Sequence, residues 1–326
     1  MKTETLNKII SYISEQGPQR PADLVSKFKI SPQALHAHLR KAIQNNTLQR
    51  IGHPPHTRYG LPLKPILAPE LSFDLESEID RGFSYLAPSG TMLFGREAFN
   101  AWVASKGLTK DYQSLARAYR DQRSAVYSSI ASHPIDTLPR LRSILPDSQL
   151  DSAVISDFYA IPQFGKTTLG NLIHAVKTSF HQQLFDQMIA LIEEDIRAVI
   201  KRLNIDAVLF VPHSIPRKRQ FLPELRQRLC LPLPEIQTEK IFAGGIPVAQ
   251  KSLSKINERI DNAASTIFLR SPAKSYHDVL IIDDAIGSGG TVNEIARKLK
   301  QRFQVKRCHA YAVVGSYKEF DVIAAV

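Results

Sequence analysis

Asp283 and Asp284 stand side by side, after the four apolar residues Val279-Leu280-Ile281-Ile282 and before the run Ala285-Ile286-Gly287-Ser288-Gly289-Gly290-Thr291. An unbroken apolar run of this length predicts a buried strand, and the stretch from about Val292 to Arg302 has helical period, so the small residues form the turn between them. A glycine turn that opens a helix points backbone N–H groups at an anion. Gly287, Gly289 and Gly290 leave room for the backbone to close around a phosphate, and Ser288 and Thr291 add hydroxyl donors. The paired carboxylates repel phosphate, but they accept hydrogen bonds from polyol hydroxyls or hold a magnesium ion. Acids beside a phosphate cradle describe a sugar phosphate, with hydroxyls at one end and phosphate at the other. Asp283 and Asp284 are therefore also the candidates for catalysis.

A pyrophosphate would need cations nearby. Arg217, Lys218 and Arg219 follow a second apolar run, Asp206-Ala207-Val208-Leu209-Phe210-Val211, and are the first candidates. Arg259 and Lys240 are further ones. Gly165-Lys166-Thr167-Thr168 resembles the end of a phosphate-binding P-loop, but Ala160 stands where that motif requires its first glycine. The histidines do not cluster as metal ligands. Cys230 and Cys308 have no metal-like spacing.

The elements that must position this loop read as α/β. Residues Gln182 to Leu203 form a long amphipathic pattern, with Leu184, Met188, Leu191, Ile192, Val199 and Leu203 expected on the core face. Asp206–Val211, Val279–Ile282 and Ala310–Val314 are the expected strands, and strand, crossover helix, strand implies a parallel sheet. Ligands of such sheets sit at the carboxyl ends of the strands. This region is assigned to residues 151–326. Residues 63–150 carry no chemical motif. Pro62, Pro65 and Pro69 mark a stiff linker. Phe99, Trp102 and Val103 suggest one helix ending near Gly107, and Leu115, Tyr119, Val126 and Ile130 a second. This stretch is either a helical connector or an elaboration of the region that follows.

Residues 1–62 form a separate basic unit. Leu6, Ile9, Ile10 and Ile13 share a helical face that ends at Gly17 and Pro18; a short helix follows with Pro21 near its start and Leu24, Val25 and Phe28 inward. Ser31 is placed to cap a third helix with Pro32 at its first position, running to about Asn45 with Leu35, Leu39 and Ile43 inward. Thr47 to Gly60 reads as two short strands around a Gly/Pro turn. With that register Gln33, Arg40, Lys41 and Gln44 face outward. Up to Gly60 the unit holds nine basic residues against three acidic ones, more than half of the chain's net charge of +11.

Two resemblances follow from these residues. Three helices and a hairpin in this order resemble a winged helix-turn-helix. That resemblance implies a third helix in the major groove, with Ser31, Gln33, Arg40, Lys41 and Gln44 at the nucleic acid and Arg50 and Arg58 on phosphates beside the wing. Val279 to Thr291 is similar to the phosphoribosyl pyrophosphate signature of type I phosphoribosyltransferases. That resemblance implies that Asp283 and Asp284 hold the ribose hydroxyls and that Ala285, Ile286 and Gly287 through Thr291 surround the 5-phosphate, with Mg2+ as the accompanying ion. The ComF-like branch is resembled more widely, over roughly half the chain. The matching features are Tyr159 to Lys177 (with Leu169, Leu172, Ile173 and Lys177), Val211-Pro212 with Arg217 to Phe221, the spaced Gln250, Leu253, Arg259, Asn262 and Phe268, and the ending Gly315 to Ile323. The zinc-binding cysteines usual at the start of that branch are absent, and the basic unit stands in their place.

The expectation is thus an α/β phosphoribosyltransferase-type parallel sheet flanked by helices, joined to a small N-terminal winged helix-turn-helix. Hydrophobic residues at 43% and charged residues at 22% support a chain that buries a real core. No apolar run approaches the roughly 18 residues of a membrane span, and the polar start lacks a signal peptide's apolar stretch, so the expected location is the cytoplasm with no membrane partner. Phosphoribosyl pyrophosphate or a nucleotide, and nucleic acid, are the expected partners, with a second copy or another protein left open. The leading functional expectation is a ligand-responsive regulator, as in purine repressors that join a winged helix to a phosphoribosyltransferase-like domain. The alternatives are an active enzyme, including the toxic effector of a retron-like anti-phage system, and a binding module with a degenerate pocket.

Overall fold

The computed structural model describes residues 2–45, 47–52, 56–62, 71–108, 111–128, 130–213, 215, 218–246, 256–272 and 274–317. The chain divides into two compact units, Met1–Leu67 and Ala68–Val326.

The first unit holds helices α1 (Lys2–Gln16), α2 (Pro21–Phe28) and α3 (Pro32–Gln44), then the antiparallel strands β1 (Gln49–Ile51) and β2 (Arg58–Gly60). Lys29 turns the chain after α2 in a left-handed conformation, and Ser31 caps α3 by accepting a hydrogen bond from the Ala34 N–H at 3.2 Å. Leu6, Ile9, Ile13, Leu24, Leu35, Leu39, Ala42, Leu48 and Tyr59 make its core. One inward residue differs from the expectation: Ala42 is buried and Ile43 is 40% exposed. At about 100° per residue Leu35, Leu39 and Ala42 fall close together round the helix, and Ile43 lies at the margin of the stripe. His53, Pro54 and Pro55 of the expected turn lie outside the described residues.

The second unit begins with α4 (Phe73–Gly82), the hairpin β3 (Ser84–Leu86) and β4 (Met92–Phe94), α5 (Gly95–Ser105) and α6 (Tyr112–Tyr127). β5 (Ile135–Asp136) and α7 (Leu138–Ile144) follow. Next come β6 (Ser152–Phe158), the hairpin β7 (Ala160–Ile161) and β8 (Gly165–Lys166), α8 (Thr168–Ser179) and α9 (Gln182–Arg202). The chain continues through β9 (Ala207–Phe210), α10 (Phe221–Leu229), β10 (Thr238–Lys240), α11 (Ile256–Thr266), β11 (Ile267–Leu269), β12 (Asp278–Ile286), α12 (Gly290–Phe303) and β13 (Arg307–Gly315).

The central sheet has five strands in the order β5-β6-β13-β12-β9. β6, β13, β12 and β9 run parallel, and only the edge strand β5 is antiparallel. Val279 to Ile282 are fully buried because the sheet is covered on both faces, which is why the strand reads as an unbroken apolar run. From β6 the chain crosses to the far edge at β9, then returns through β12 to β13. For right-handed crossovers that reversal sends the helices over opposite faces. α8 packs on α9 and α11 on α12; α10, although it follows β9, packs back on α9. The outer side of β9 is closed by residues 234–238, through Val208 N–H to Pro234 O and Ile236 N–H to Val208 O, both 2.9 Å.

Residues 71–150 share their core with the sheet. Phe83, Phe99, Trp102, Tyr112 and Tyr119 form an aromatic cluster, edge-on around Phe83, that reaches Phe164, with ring centroids 5.5 Å from Trp102 and 5.2 Å from Tyr119. β5 adds a strand directly to the sheet. On α9, Met188, Ile192 and Val199 are buried as expected, joined by Phe185 and Ile196, whereas Leu191 is 52% exposed. The helix buries a narrow stripe against α8, and Leu191 falls beside it. Among the described residues no helix is long and apolar enough to cross a membrane.

Candidate functional site

β12 is longer than its apolar run. Its pairing with β13 continues to Ile286↔Gly315, while its pairing with β9 stops at Ile282↔Phe210. Asp283 and Asp284 therefore lie inside the strand rather than after it, at the point where β12 outruns one neighbour. This is the carboxyl end of the parallel sheet, where side chains are freed from a partner strand on one side.

The loop Gly287-Ser288-Gly289 then leads into α12, which starts at Gly290. Gly289 sits at the cap position with φ 77°, in the left-handed region, and a Cβ there would meet Leu141 Cδ2 at 2.8 Å. The left-handed conformation favours glycine here, and a side chain would also have to displace the tip of Leu141. Asn293, in the first turn of α12, accepts from Gln149 N–H at 2.7 Å and from Ser148 Oγ at 3.2 Å, which fixes the helix start against the segment after α7. Ser288, Gly289 and Gly290 are buried, as is Ile286; Asp283, Asp284, Ala285, Gly287 and Thr291 are half-buried. The first amides of α12 have no partner within the helix, so the loop can donate to an anion.

Each carboxylate has a defined set of neighbours. Asp283 Oδ1 accepts from the Asp284 N–H at 2.7 Å. Asp284 Oδ2 is ion-paired with Lys177 Nζ, from the last turn of α8. Burial first, and the Asp284 charge second, push the Asp283 carboxyl well above the usual carboxylate range, against the Asp284 N–H, Lys177 and Lys240. Lys240 ends β10; burial pushes its amine down to about 8, against the pull of Asp283. Two lysines thus act on the acids, Lys177 through its ion pair with Asp284 and Lys240 through its charge on Asp283.

Lys177 reaches Asp284 because α8 is held tightly at its start. Thr167 Oγ1 caps the helix by accepting from Gly170 N–H at 3.0 Å, and a Cβ on Gly170 would lie 2.0 Å from Tyr159 O. From there to Lys177 the helix advances about 10 Å. Gly165-Lys166-Thr167-Thr168 accordingly belongs to a hairpin and a helix cap.

The basic loop after β9 is only partly described; Arg217 lies outside the described residues. Lys218 is exposed. Arg219 pairs with Glu224 at 3.5 Å and lies 4.9 Å over the Phe180 ring at the end of α8. Neither is brought to the acids by a described contact. Arg259 is buried at the start of α11, with 9% exposure. Two residues that reach the site came without an assigned role: Lys177, and Arg140 of α7, whose Nη2 donates to Gly287 O at 2.7 Å. A shallow groove along α9, lined by Ala190, Glu193, Glu194, Arg197, Ala198 and Lys201, contains none of these residues.

For a metal, the set is small. Asp284 N–H and Lys177 each occupy one carboxylate oxygen, which leaves Asp283 Oδ2 and Asp284 Oδ1. Among the described residues no cluster of three or more His, Cys, Asp or Glu could hold an ion. Two carboxylate oxygens suit magnesium, which keeps its waters and takes phosphate oxygens from a ligand, and do not form an all-protein cage.

On the first unit, Ser31, Gln33, Arg40, Lys41, Gln44, Arg50 and Arg58 are all exposed. Ser31 spends its hydroxyl on the α3 cap, and Arg58 Nη1 donates to Pro18 O at 3.2 Å.

No protein-family model matches this chain, and no curated protein is significantly similar to it.

Proposed function

We propose that this chain is a nucleic-acid-binding protein whose second unit binds phosphoribosyl pyrophosphate or a nucleotide, and that ligand occupancy tunes the first unit's hold on nucleic acid. One observation carries the reading: at the end of β12 two carboxylates stand next to a glycine loop that opens α12. Hydroxyl acceptors next to anion donors suit a phosphorylated pentose. The free carboxylate oxygens of Asp283 and Asp284 take the ribose hydroxyls, and the amides from Gly287 to Thr291 take the phosphate. Magnesium, when bound, neutralises the pyrophosphate charge. On this reading the second unit is a phosphoribosyltransferase-type domain of the ComF-like kind. The first is a winged helix-turn-helix that presents Gln33, Arg40, Lys41 and Gln44 to bases or phosphates.

The test is calorimetric titration of the full chain with phosphoribosyl pyrophosphate in magnesium, then repeated with Asp284→Asn. Saturable binding that the variant loses supports the reading; equal binding by both, or none by the natural chain, rejects it. Fluorescence anisotropy on duplex DNA, with and without the ligand, tests the coupling.

The raised proton affinity of Asp283 favours a second reading, an active enzyme. A carboxyl kept near neutrality in proton affinity is equipped for acid–base work. Magnesium-dependent release of pyrophosphate, lost in Asp283→Asn, would select it, and a neighbouring reverse-transcriptase gene would point to a retron-like effector.

A further inference from the structure

One half-buried cation beside the loop has no carboxylate partner among the described residues. Arg140 Nε donates to Thr137 Oγ1 at 3.3 Å and Nη2 to Gly287 O at 2.7 Å, while Nη1 is buried with no partner. Burial alone holds its proton affinity below the usual guanidinium range, and no carboxylate among the described residues offsets it. A partly desolvated guanidinium without an anion carries a cost that an arriving anion offsets. The helix that carries it is fixed beside the loop. Asp136 Oδ1 accepts from Leu138 N–H at 2.9 Å and fixes the start of α7, and Leu141 packs where a Gly289 side chain would be. The guanidinium is thereby placed against the loop, with Nη2 on the loop's own carbonyl.

We propose that Arg140 belongs to the ligand site and donates through Nη1 to the phosphate monoester seated on Gly287 to Thr291. It thereby makes the site select phosphorylated over unphosphorylated pentoses. This rests on the sugar-phosphate reading of that loop. A planar guanidinium with one arm on the loop and one on the ligand suits this task, where a lysine would offer only a point charge.

The experiment compares ribose 5-phosphate and ribose as probes on the full chain, in the natural protein and in Arg140→Met and Arg140→Lys. Arg140→Met should lose roughly 10- to 100-fold in affinity for ribose 5-phosphate, with affinity for ribose unchanged and Arg140→Lys intermediate. Equal losses for both sugars, or no loss for ribose 5-phosphate, overturns the proposal and leaves the loop reading intact. Failure of the natural chain to bind ribose 5-phosphate overturns the loop reading itself, and this proposal with it. Should Arg140→Met not fold, nitrogen-15 NMR of the arginine side chains decides in the natural protein, with Arg140→Lys giving the assignment. Ribose 5-phosphate should shift and protect the Arg140 Nη signals, and unmoved signals sink the idea.

Discussion

Lys177 at the end of α8 and Asp284 near the end of β12, 107 residues apart in the chain, form an ion pair at the edge of the parallel sheet. The pair neutralises one of two adjacent carboxylates, and its field reaches the other. A ligand that uses Asp284 must share it with this lysine, whose charge also opposes the burial and the Asp284 charge that raise the proton affinity of Asp283.

Lys177→Met should move ligand binding to higher pH. Lys177 favours the ionised form of Asp283, so its loss raises the carboxyl's proton affinity further, and binding that needs the carboxylate starts later on the alkaline side. Affinity for ribose 5-phosphate measured across pH 5 to 9 should show the ascending limb displaced upward. An unmoved limb argues against control by this lysine.

Asp283→Asn should stabilise the protein while abolishing ligand binding. The folded Asp283 holds its proton more tightly than the unfolded one, so the folded state binds more protons between the two values. Stability therefore falls as pH rises from the usual carboxylate range to the raised one. The asparagine removes that slope and can still accept from the Asp284 N–H. Thermal melts should coincide with the natural protein in acid and run above it at pH 8.

Gly170→Ala should cost roughly 3 kcal/mol or more, because its Cβ would meet the Tyr159 backbone oxygen rather than a movable side chain. Gly244→Ala, with nothing within 4 Å of the new Cβ, should stay within about 0.5 kcal/mol. Urea denaturation of both variants checks the contrast.

On the first unit, Arg40→Ala should weaken nucleic-acid binding and lower the salt slope by about 1 for each phosphate the arginine no longer neutralises. Ser31→Ala, by removing the α3 cap, should instead cost about 1 kcal/mol of that unit's stability. Titrations at several salt concentrations and melts of each variant separate the two effects.

The motif at Asp283 to Thr291 was legible because strand, turn and helix are consecutive there, and local pattern decides each of them. Its supports were not. Lys177 and Arg140 reach the site across 107 and 147 residues; Lys177 stood in a segment with a family resemblance but with no role at the acids, and nothing near Arg140 marks it. The extension of β12 through the acids was also hidden, because pairing with β13 holds the backbone extended where side-chain polarity suggests an ending. The misplaced Ile43 and Leu191 share one cause: apolar residues at the margin of a helical stripe look inward by period, while neighbouring helices fix how wide a stripe is covered. Glycine reads ambiguously for the same reason. Gly289 looked like part of a ligand loop, and its left-handed backbone agrees, but the contact with Leu141 also makes it a packing residue.

β5 has a consequence for anyone dividing this chain. It is only Ile135–Asp136, yet it screens the length of β6 it pairs with. A fragment begun at Asp151 would keep every residue of the acid-and-glycine motif and bare that stretch of unpaired amides and carbonyls, the template on which strands of other molecules assemble. Cut there, the motif-bearing half should come out of solution as aggregate, whereas one begun near Ala68 keeps its own selvedge.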